Sequence, residues 1–285
     1  MPSGASAELT VRVMTDRDLH LAIGWAAAEG WNPGLSDAAC FQASDPAGFL
    51  VGCLGGEPVA SISVVRYAAS FGFLGFYIVR PDRRGRGFGR RLWQAGLDHL
   101  TGCVVGLDGV VAQQDNYARS GFVPAHRNVR YGGSPQVEAP ADPRLTAVDA
   151  DLLDAVLTYD RPFFPAPREA FLRCWLQPDA RTALAFVEDG TVKGYGVIRA
   201  CRTGHKIGPL FADGAREADA LFRALAARAG GAPVFLDVPE PNASAVRMAS
   251  SYGLSPVFET ARMYRGGRPD LPLAAIYGIT SFELG

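Results

Sequence analysis

The stretch FYIVRPDRRGRGFGRRLW, residues Phe76–Trp93, joins an apolar run, a loop of interleaved arginines and glycines, and a segment with helical character. Six arginines lie within the twelve residues from Arg80 to Arg91. Glycines at positions 85, 87 and 89 remove side chains where a ligand could approach the backbone. Free N–H groups at the start of a helix attract anions, and neighbouring arginines add full positive charges. The stretch therefore predicts a cradle for a phosphate or pyrophosphate.

Two familiar phosphate-binding motifs fit this loop poorly. A kinase-type P-loop ends in Gly-Lys-[Ser/Thr], which the loop lacks. The dinucleotide fingerprint G-x-G-x-x-G matches at Gly85 and Gly87, and Asp108 at a strand end imitates its ribose-binding acid. However, Arg90 replaces the third glycine, and the strand before the loop follows an antiparallel-looking hairpin. Neither motif accounts for the loop.

Bulk composition restricts the classes of protein that remain. The chain has 285 residues, of which 48% are hydrophobic and 20% are charged, so it suits one large or two ordinary globular domains. Its formal net charge of −1 argues against nucleic acid or an anionic membrane as a partner. The start MPSGASAELTVRV lacks a basic segment followed by an apolar one, and no apolar run approaches a membrane span. These features predict a cytoplasmic protein.

The cysteines predict neither a disulfide framework nor a metal site. There are five, they are scattered, and they form no CxxC motif, so reduced core thiols are expected and no metal cofactor. Only two of the 28 basic residues are lysines, which is typical of a GC-rich bacterial gene and carries no mechanistic weight. The five cysteines are Cys40, Cys53, Cys103, Cys174 and Cys201.

A long internal repeat divides the chain. The order β-α-α-β-β-β-α-β-α-β is predicted twice, before and after a Pro/Gly/acid-rich stretch at residues 132–144. Short segments also match, such as VVGLD with VFLDV and RYGG with RMYRGG. We therefore predict an α/β fold (α+β mixed sheet) in two similar domains, residues 1–133 and 145–285, with a linker at 134–144. The competing interpretation is one large mixed sheet.

The loop resembles a known motif. Residues 84–89, Arg-Gly-Arg-Gly-Phe-Gly, fit the [Arg/Gln]-x-x-Gly-x-[Gly/Ala] motif of the GCN5-related N-acetyltransferase (GNAT) superfamily, and the predicted element order resembles that fold in both halves. EGWNPG at residues 29–34 and FELG at 282–285 resemble its tandem-GNAT subgroup. The alternative is a solvated arginine turn.

This resemblance implies that acetyl-CoA binds the first half. The loop would hold the pyrophosphate through backbone amides, and the pantetheine arm would lie between splayed fourth and fifth strands, at residues 71–80 and 103–108. The coenzyme-binding residues that the resemblance implies are Ile78, Val79, Arg84, Gly85, Arg86, Gly87, Phe88, Gly89, Arg90 and Asn116.

Acetyl transfer to an amine by direct attack, through a tetrahedral intermediate, needs a proton donor for the departing thiolate. Tyr117 lies four residues before Gly121 and matches the Tyr-x-x-x-Gly-Phe segment in which many GNAT enzymes carry their general acid. A phenol with a pKa near 10 can protonate a thiolate of a thiol with a pKa of about 8.5. The alternative role is simple helix packing.

The general base stays open, because residues 71–80 contain no carboxylate where many relatives have a glutamate. Glu29, Asp37, Asp108 and His126 are candidates, although each is better explained as a cap, an ion-pair partner or a surface charge. An amine that arrives already neutral needs no base.

The acceptor pocket is expected beside the loop AAEGWNPGLSD. Trp31 offers an aromatic wall, Asn32 an amide, and Glu29 a negative charge for a cationic amine; ordinary loop closure explains these residues equally well. The predicted function is acetyl-CoA-dependent N-acetyl transfer to a small-molecule or peptide amine. The rival is a non-catalytic acyl-CoA sensor, and a homodimer is possible.

The second half is predicted to keep the fold and to lose the coenzyme site. Its counterpart of the loop, LFADGAREADALF, has one glycine and three acidic residues near a helix start. Ala249 stands where the first half has Tyr117. We therefore predict one acetyl-CoA per chain, with the second half completing the acceptor pocket or a dimer interface and with SFELG entering that pocket.

Overall fold

A computed structural model describes residues 8–177 and 181–285. The sequence expectation drawn from residues 1–7 lies outside the described residues. The first half contains β1 (Leu9–Val13), α1 (Asp16–Ala28), α2 (Asp37–Ser44), β2 (Phe49–Leu54), β3 (Glu57–Tyr67), β4 (Phe71–Val79), α3 (Phe88–His99), β5 (Val104–Val110), α4 (Gln114–Arg119) and β6 (Val123–Gly133). The second half contains β7 (Leu145–Ala147), α5 (Ala150–Asp160), α6 (Glu169–Trp175), β8 (Arg181–Glu188), β9 (Thr191–Ala200), β10 (His205–Ala212), α7 (Ala215–Ala226), β11 (Val234–Pro239), α8 (Ala243–Ser251), β12 (Ser255–Arg265) and β13 (Ile276–Gly278).

The predicted element order is confirmed in both halves, with β13 as an addition. Paired glycines and an Asp-Gly pair turn the two predicted hairpins, because Gly55, Gly56, Asp189 and Gly190 all have positive φ angles. The repeat and one large mixed sheet both describe the molecule, because within the described residues the two copies form one 13-stranded sheet.

The two halves exchange their last long strands. The sheet order is β1-β2-β3-β4-β5-β12-β6-β11-β10-β9-β8-β7, so β12 pairs with β5 and β6 pairs with β11. Each exchanged strand carries an arginine directly opposite an aspartate of the other half: Arg262 faces Asp108, and Arg130 faces Asp237. Both pairs are buried ion pairs, with shortest distances of 2.8 Å and 2.6 Å. The matches VVGLD with VFLDV and RYGG with RMYRGG contain these four residues.

A disulfide also joins the halves, so the expectation that all cysteines are reduced is wrong for two of them. Cys40 in α2 and Cys174 in α6 are 134 residues apart in sequence and 2.07 Å apart at sulfur. These helices are equivalent in the repeat and pack against each other, with Trp175 stacked on Phe41. The spacing of the cysteines in the sequence could not predict this contact, because α2 and α6 come together only when the two halves form one sheet. Cys53, Cys103 and Cys201 are free thiols.

The helices are short relative to a bilayer. Among the described residues, none of them is both long enough and apolar enough to cross a membrane.

Candidate active site

A cavity of about 440 Å³ opens where β4 and β5 part. The parallel pairing of these strands ends at Leu74 and Leu107. Directly after that point, β4 bulges at Phe76, whose φ of 45° is left-handed, and its register against β3 shifts. A bulge leaves backbone groups unpaired and re-aims side chains, and it occurs often beside active sites. The cavity walls come from β4, β5, the loop after α1 and the second half.

The glycine-arginine loop begins α3 beside this cavity. Gly85 and Gly87 have φ angles of 75° and 80°, which only glycine adopts readily, and a Cβ atom at either would meet nothing within 4 Å. Within the described part of the chain, α3 has no side-chain N-cap and no acid in its first turn. Its first N–H groups are therefore free to bind an anion. Position 89 favours glycine for a different reason: a Cβ atom added there would lie 2.6 Å from the Tyr77 hydroxyl oxygen.

The six arginines divide into two groups. Arg84 donates to the Val79 carbonyl (2.9 Å) and to Glu29 (2.5 Å). Arg80, Arg83 and Arg91 pair with Glu57, Asp82 or Glu8. Arg86 and Arg90 are exposed and form no ion pair with any described residue. These two charges are free for a phosphate, and Phe88 starts the helix between them.

Tyr117 in α4 lies at the cavity wall. It is 7% exposed, stacks on Trp93 with ring centroids 5.4 Å apart, and lies over Gly109, where a Cβ would come within 2.8 Å of its ring. Burial raises the pKa of its phenol above the ordinary value, so the hydroxyl stays protonated at neutral pH. A buried phenol that keeps its proton can act as a donor.

The structure brings some of the predicted residues together and separates others. Ile78, Val79, Arg84, Tyr117, Glu29 and Trp31 all line the cavity. Asn32 does not line it: its side-chain amide donates to the Thr203 carbonyl (2.9 Å) and accepts the Thr203 N–H (3.1 Å), which closes the loop onto the second half. Asn116 also lies outside the lining and donates to Gln113.

All four candidate bases have other partners or another location. Asp37 is buried and accepts the Gly34 N–H (2.9 Å), and its carboxylate pairs with Arg199 (3.2 Å). Asp108 lines the cavity but is held by Arg262 and by Asn128, which donates to it at 2.7 Å. His126 lies outside the cavity, and burial lowers its pKa to about 3, so it is neutral. Glu29, as described, binds Arg84.

Two family models match the chain. The acetyltransferase (GNAT) family model matches residues 17–122, and an acetyltransferase (GNAT) domain model matches residues 156–278. The holothin acyltransferase of Pseudoalteromonas sp. (strain SANK 73390) is 35% identical over 262 residues, which cover 92% of this chain and 89% of that protein. The chain belongs to the GNAT superfamily.

Solved structures share this tandem GNAT fold. A Pyrococcus horikoshii protein with a proposed acetyltransferase assignment gives a TM-score of 0.81 at 22% identity, over 100% of this chain and 99% of its own. A tandem GNAT protein from the clavulanic acid biosynthesis pathway gives 0.64 at 15% identity, over 92% of this chain and 100% of its own. At these identities the likeness concerns the fold, and the predicted pair of GNAT domains is confirmed.

The second GNAT half supplies part of the cavity wall. Phe258 and Thr260 come from the exchanged strand β12, and Phe282 and Glu283 come from the segment that follows β13. Of these wall residues, the sequence analysis predicts only those of the SFELG segment, through the resemblance to the tandem subgroup. The β12 residues carry no local signal, because strand exchange alone brings them to the first half.

Proposed function

We propose that this GNAT protein transfers an acetyl group from acetyl-CoA to the amine of a small molecule or peptide. The observation that carries the proposal is the cavity between β4 and β5, which has Tyr117 in its wall and the open start of α3 beside it. The coarser assignment, a GNAT acyltransferase, follows from family membership. The acetyl donor, the amine acceptor and the residue roles are our proposal.

The α3 start fits the pyrophosphate of the donor. Gly85 and Gly87 present bare backbone, the first N–H groups of α3 have no cap, and Arg86 and Arg90 lack ion-pair partners among the described residues. A helix start of this kind favours a bound phosphate through N–H hydrogen bonds and its partial positive charge.

The chemistry uses direct attack. The neutral amine nitrogen attacks the thioester carbonyl and loses one proton to solvent, and the carbon–sulfur bond breaks as the tetrahedral intermediate collapses. Tyr117 donates its proton to the departing sulfur and regains one from solvent. The bulge at Phe76 offers backbone N–H groups near the reacting carbonyl, where they would stabilise the developing oxyanion. Because the phenol keeps its proton, the donor is ready at neutral pH.

The acceptor is small, or is the end of a flexible chain. A cavity of about 440 Å³ must hold the acetyl end of the donor together with the amine, which leaves little room for a folded partner. The 35% identical relative is named a holothin acyltransferase, and a small amine as acceptor suits the cavity of this chain.

A thiol-release assay tests the function. Acetyl-CoA is incubated with the protein and a panel of alkylamines, polyamines, amino acids, aromatic amines and peptides, and free CoA thiol is measured against a protein-free blank. We expect release that depends on at least one amine, with the acetylated amine found by mass spectrometry. Tight acetyl-CoA binding without release for any acceptor would favour the acyl-CoA sensor.

A further inference from the structure

Glu283 is a buried carboxylate at the cavity that the mechanism above does not use. The residue is 2% exposed and lines the cavity together with Tyr117. Across residues 8–177 and 181–285, no hydrogen-bond donor reaches either oxygen of its carboxylate. An unpaired buried carboxylate costs free energy, so such a group is expected to have a partner. The partner would be a ligand in the cavity.

The segment that carries Glu283 is fixed onto the bulged strand. A Cβ atom on Gly75 would lie 2.3 Å from the Glu283 carbonyl oxygen, so the two backbones touch where β4 leaves β5. The Tyr67 hydroxyl donates to the Leu284 carbonyl (3.1 Å), and the Leu284 N–H donates to the Ser281 hydroxyl (3.1 Å). These contacts hold Glu283 beside the place where the thioester carbonyl would lie.

Three buried cations lie near Glu283 without forming an ion pair with it. Arg130, Arg199 and Lys206 all interact with it electrostatically. Arg130 is already paired with Asp237, and Arg199 with Asp37. The amino group of Lys206 is buried and, like the carboxylate, has no hydrogen-bond partner among the described residues. The Glu283 carboxylate therefore lies among cations that leave its own lone pairs available.

The other carboxylates of the cavity are engaged. Glu29 binds Arg84, and Asp108 binds Arg262 and Asn128. β4 carries no acid over its length. Of the acids that line the described cavity, Glu283 is the one whose carboxylate has no partner.

We propose that Glu283 receives the acceptor amine and takes its proton, which rests on the proposed function. The ammonium N–H bond breaks as an O–H bond forms on the carboxylate, and the freed electron pair forms the bond to the thioester carbon. The nitrogen of the tetrahedral intermediate then loses a second proton to solvent and becomes the amide nitrogen. Tyr117 gives its proton to the sulfur, and the proton on Glu283 returns through solvent to the phenolate. The aromatic rings of Trp31, Phe258 and Phe282 in the same wall suit a primary alkylammonium acceptor.

The test compares two acceptors in one variant. Glu283→Gln keeps the shape and removes the base. With an alkylamine, whose pKa is about 10, we expect kcat/KM near neutral pH to fall by about 100-fold or more. With an aromatic amine that is already neutral, we expect a loss below about tenfold, because no ammonium has to be deprotonated. The control Glu240→Gln changes an exposed acid that pairs with Arg127, and should leave both values unchanged.

A folding defect would lower kcat/KM equally for both acceptors. The ratio of the two kcat/KM values therefore identifies the role of Glu283 even if the variant is less stable. Equal losses for both acceptors, or wild-type rates with the alkylamine, would overturn the assignment to Glu283. Calorimetric affinity for acetyl-CoA should stay within about twofold of wild type. Failure of the proposed function is a separate result, since in that case the wild-type protein itself would release no thiol with any amine.

Discussion

The starts of α3 and α7 occupy equivalent places in the two halves and differ in what lies over them. At α3 the cap is Gly87 in a left-handed conformation, and the first turn has no acid in the described structure. At α7 the cap is Gly214 in an extended conformation, and a Cβ there would lie 2.9 Å from a carboxylate oxygen of Glu217. Arg216 donates to that carboxylate at 2.9 Å and 2.7 Å. The second half therefore covers its helix start with its own anion.

The comparison extends to the proposed proton donor, Tyr117. Ala249 in α8, four residues before Gly253, stands where α4 has Tyr117, and it is fully buried. One half thus combines an open helix start with a phenol, and the other replaces both while keeping the fold. The second half nevertheless contributes strands to the shared sheet and residues to the cavity wall. The difference between the halves leads us to expect one acetyl-CoA per chain.

The largest effect is expected from Tyr117→Phe. Removing only the hydroxyl should lower kcat by about 100-fold or more and leave the affinity for acetyl-CoA unchanged, because the aromatic stack on Trp93 remains. Since burial raises the pKa of this phenol, the wild-type rate should show no loss from phenol ionisation up to a pH of about 10.

The matched control for this variant is Tyr252→Phe, a tyrosine of the second half whose hydroxyl donates to Asp219. It should keep the wild-type rate. Full activity in the Tyr117→Phe variant would show that Tyr117 does not donate the proton and that its ring contributes only to packing.

A smaller effect is expected from Gly87→Asp, measured by calorimetry with acetyl-CoA. The new carboxylate would stand at the start of α3, so the dissociation constant should rise by at least about tenfold. Gly190→Asp introduces the same charge at another left-handed glycine with open space around it, in the β8–β9 hairpin. If both variants raised the dissociation constant equally, the cause would be backbone strain and not the added charge. The proposal of an anion site at the start of α3 would then be wrong.

The smallest effect is expected from Glu217→Gln in the intact chain. Loss of the charge at the start of α7 should lower the free energy of unfolding by about 0.3–1 kcal/mol, as for other acids in a first helical turn. The calorimetric stoichiometry should stay at one acetyl-CoA per chain, because α7 also lacks the left-handed glycine loop. A stoichiometry of two would show that Glu217 alone distinguishes the halves.

Local patterns in the sequence predict much of this molecule. Apolar periodicity and turn glycines gave every helix and strand of the repeat, and the spacing of Gly85 and Gly87 located the open start of α3. These features depend on neighbours within a few residues. The roles assigned to the loop and to Tyr117 remain predictions.

Contacts between distant segments could not be predicted in this way. The Cys40–Cys174 disulfide and the bonds of Asn32 to Thr203 join residues far apart in sequence. The place of Glu283 in the cavity wall likewise depends on contacts with the first half, such as the hydrogen bond from Tyr67 to Leu284. Periodicity predicts that a strand exists, and says nothing about which strand it pairs with. For the same reason the repeat was visible in the sequence, and the exchange of β6 and β12 was not.

That exchange also constrains how the chain is made. β5 gains its second neighbour only when β12 has been synthesised, since Val110 pairs with Thr260. Until then the first half leaves the ribosome with an open strand edge, which is a template for wrong pairing with other chains. Contacts of such long sequence separation also slow folding. The two GNAT halves are therefore one folding unit, and a nascent chain completes the sheet of its first half only after the second half has emerged.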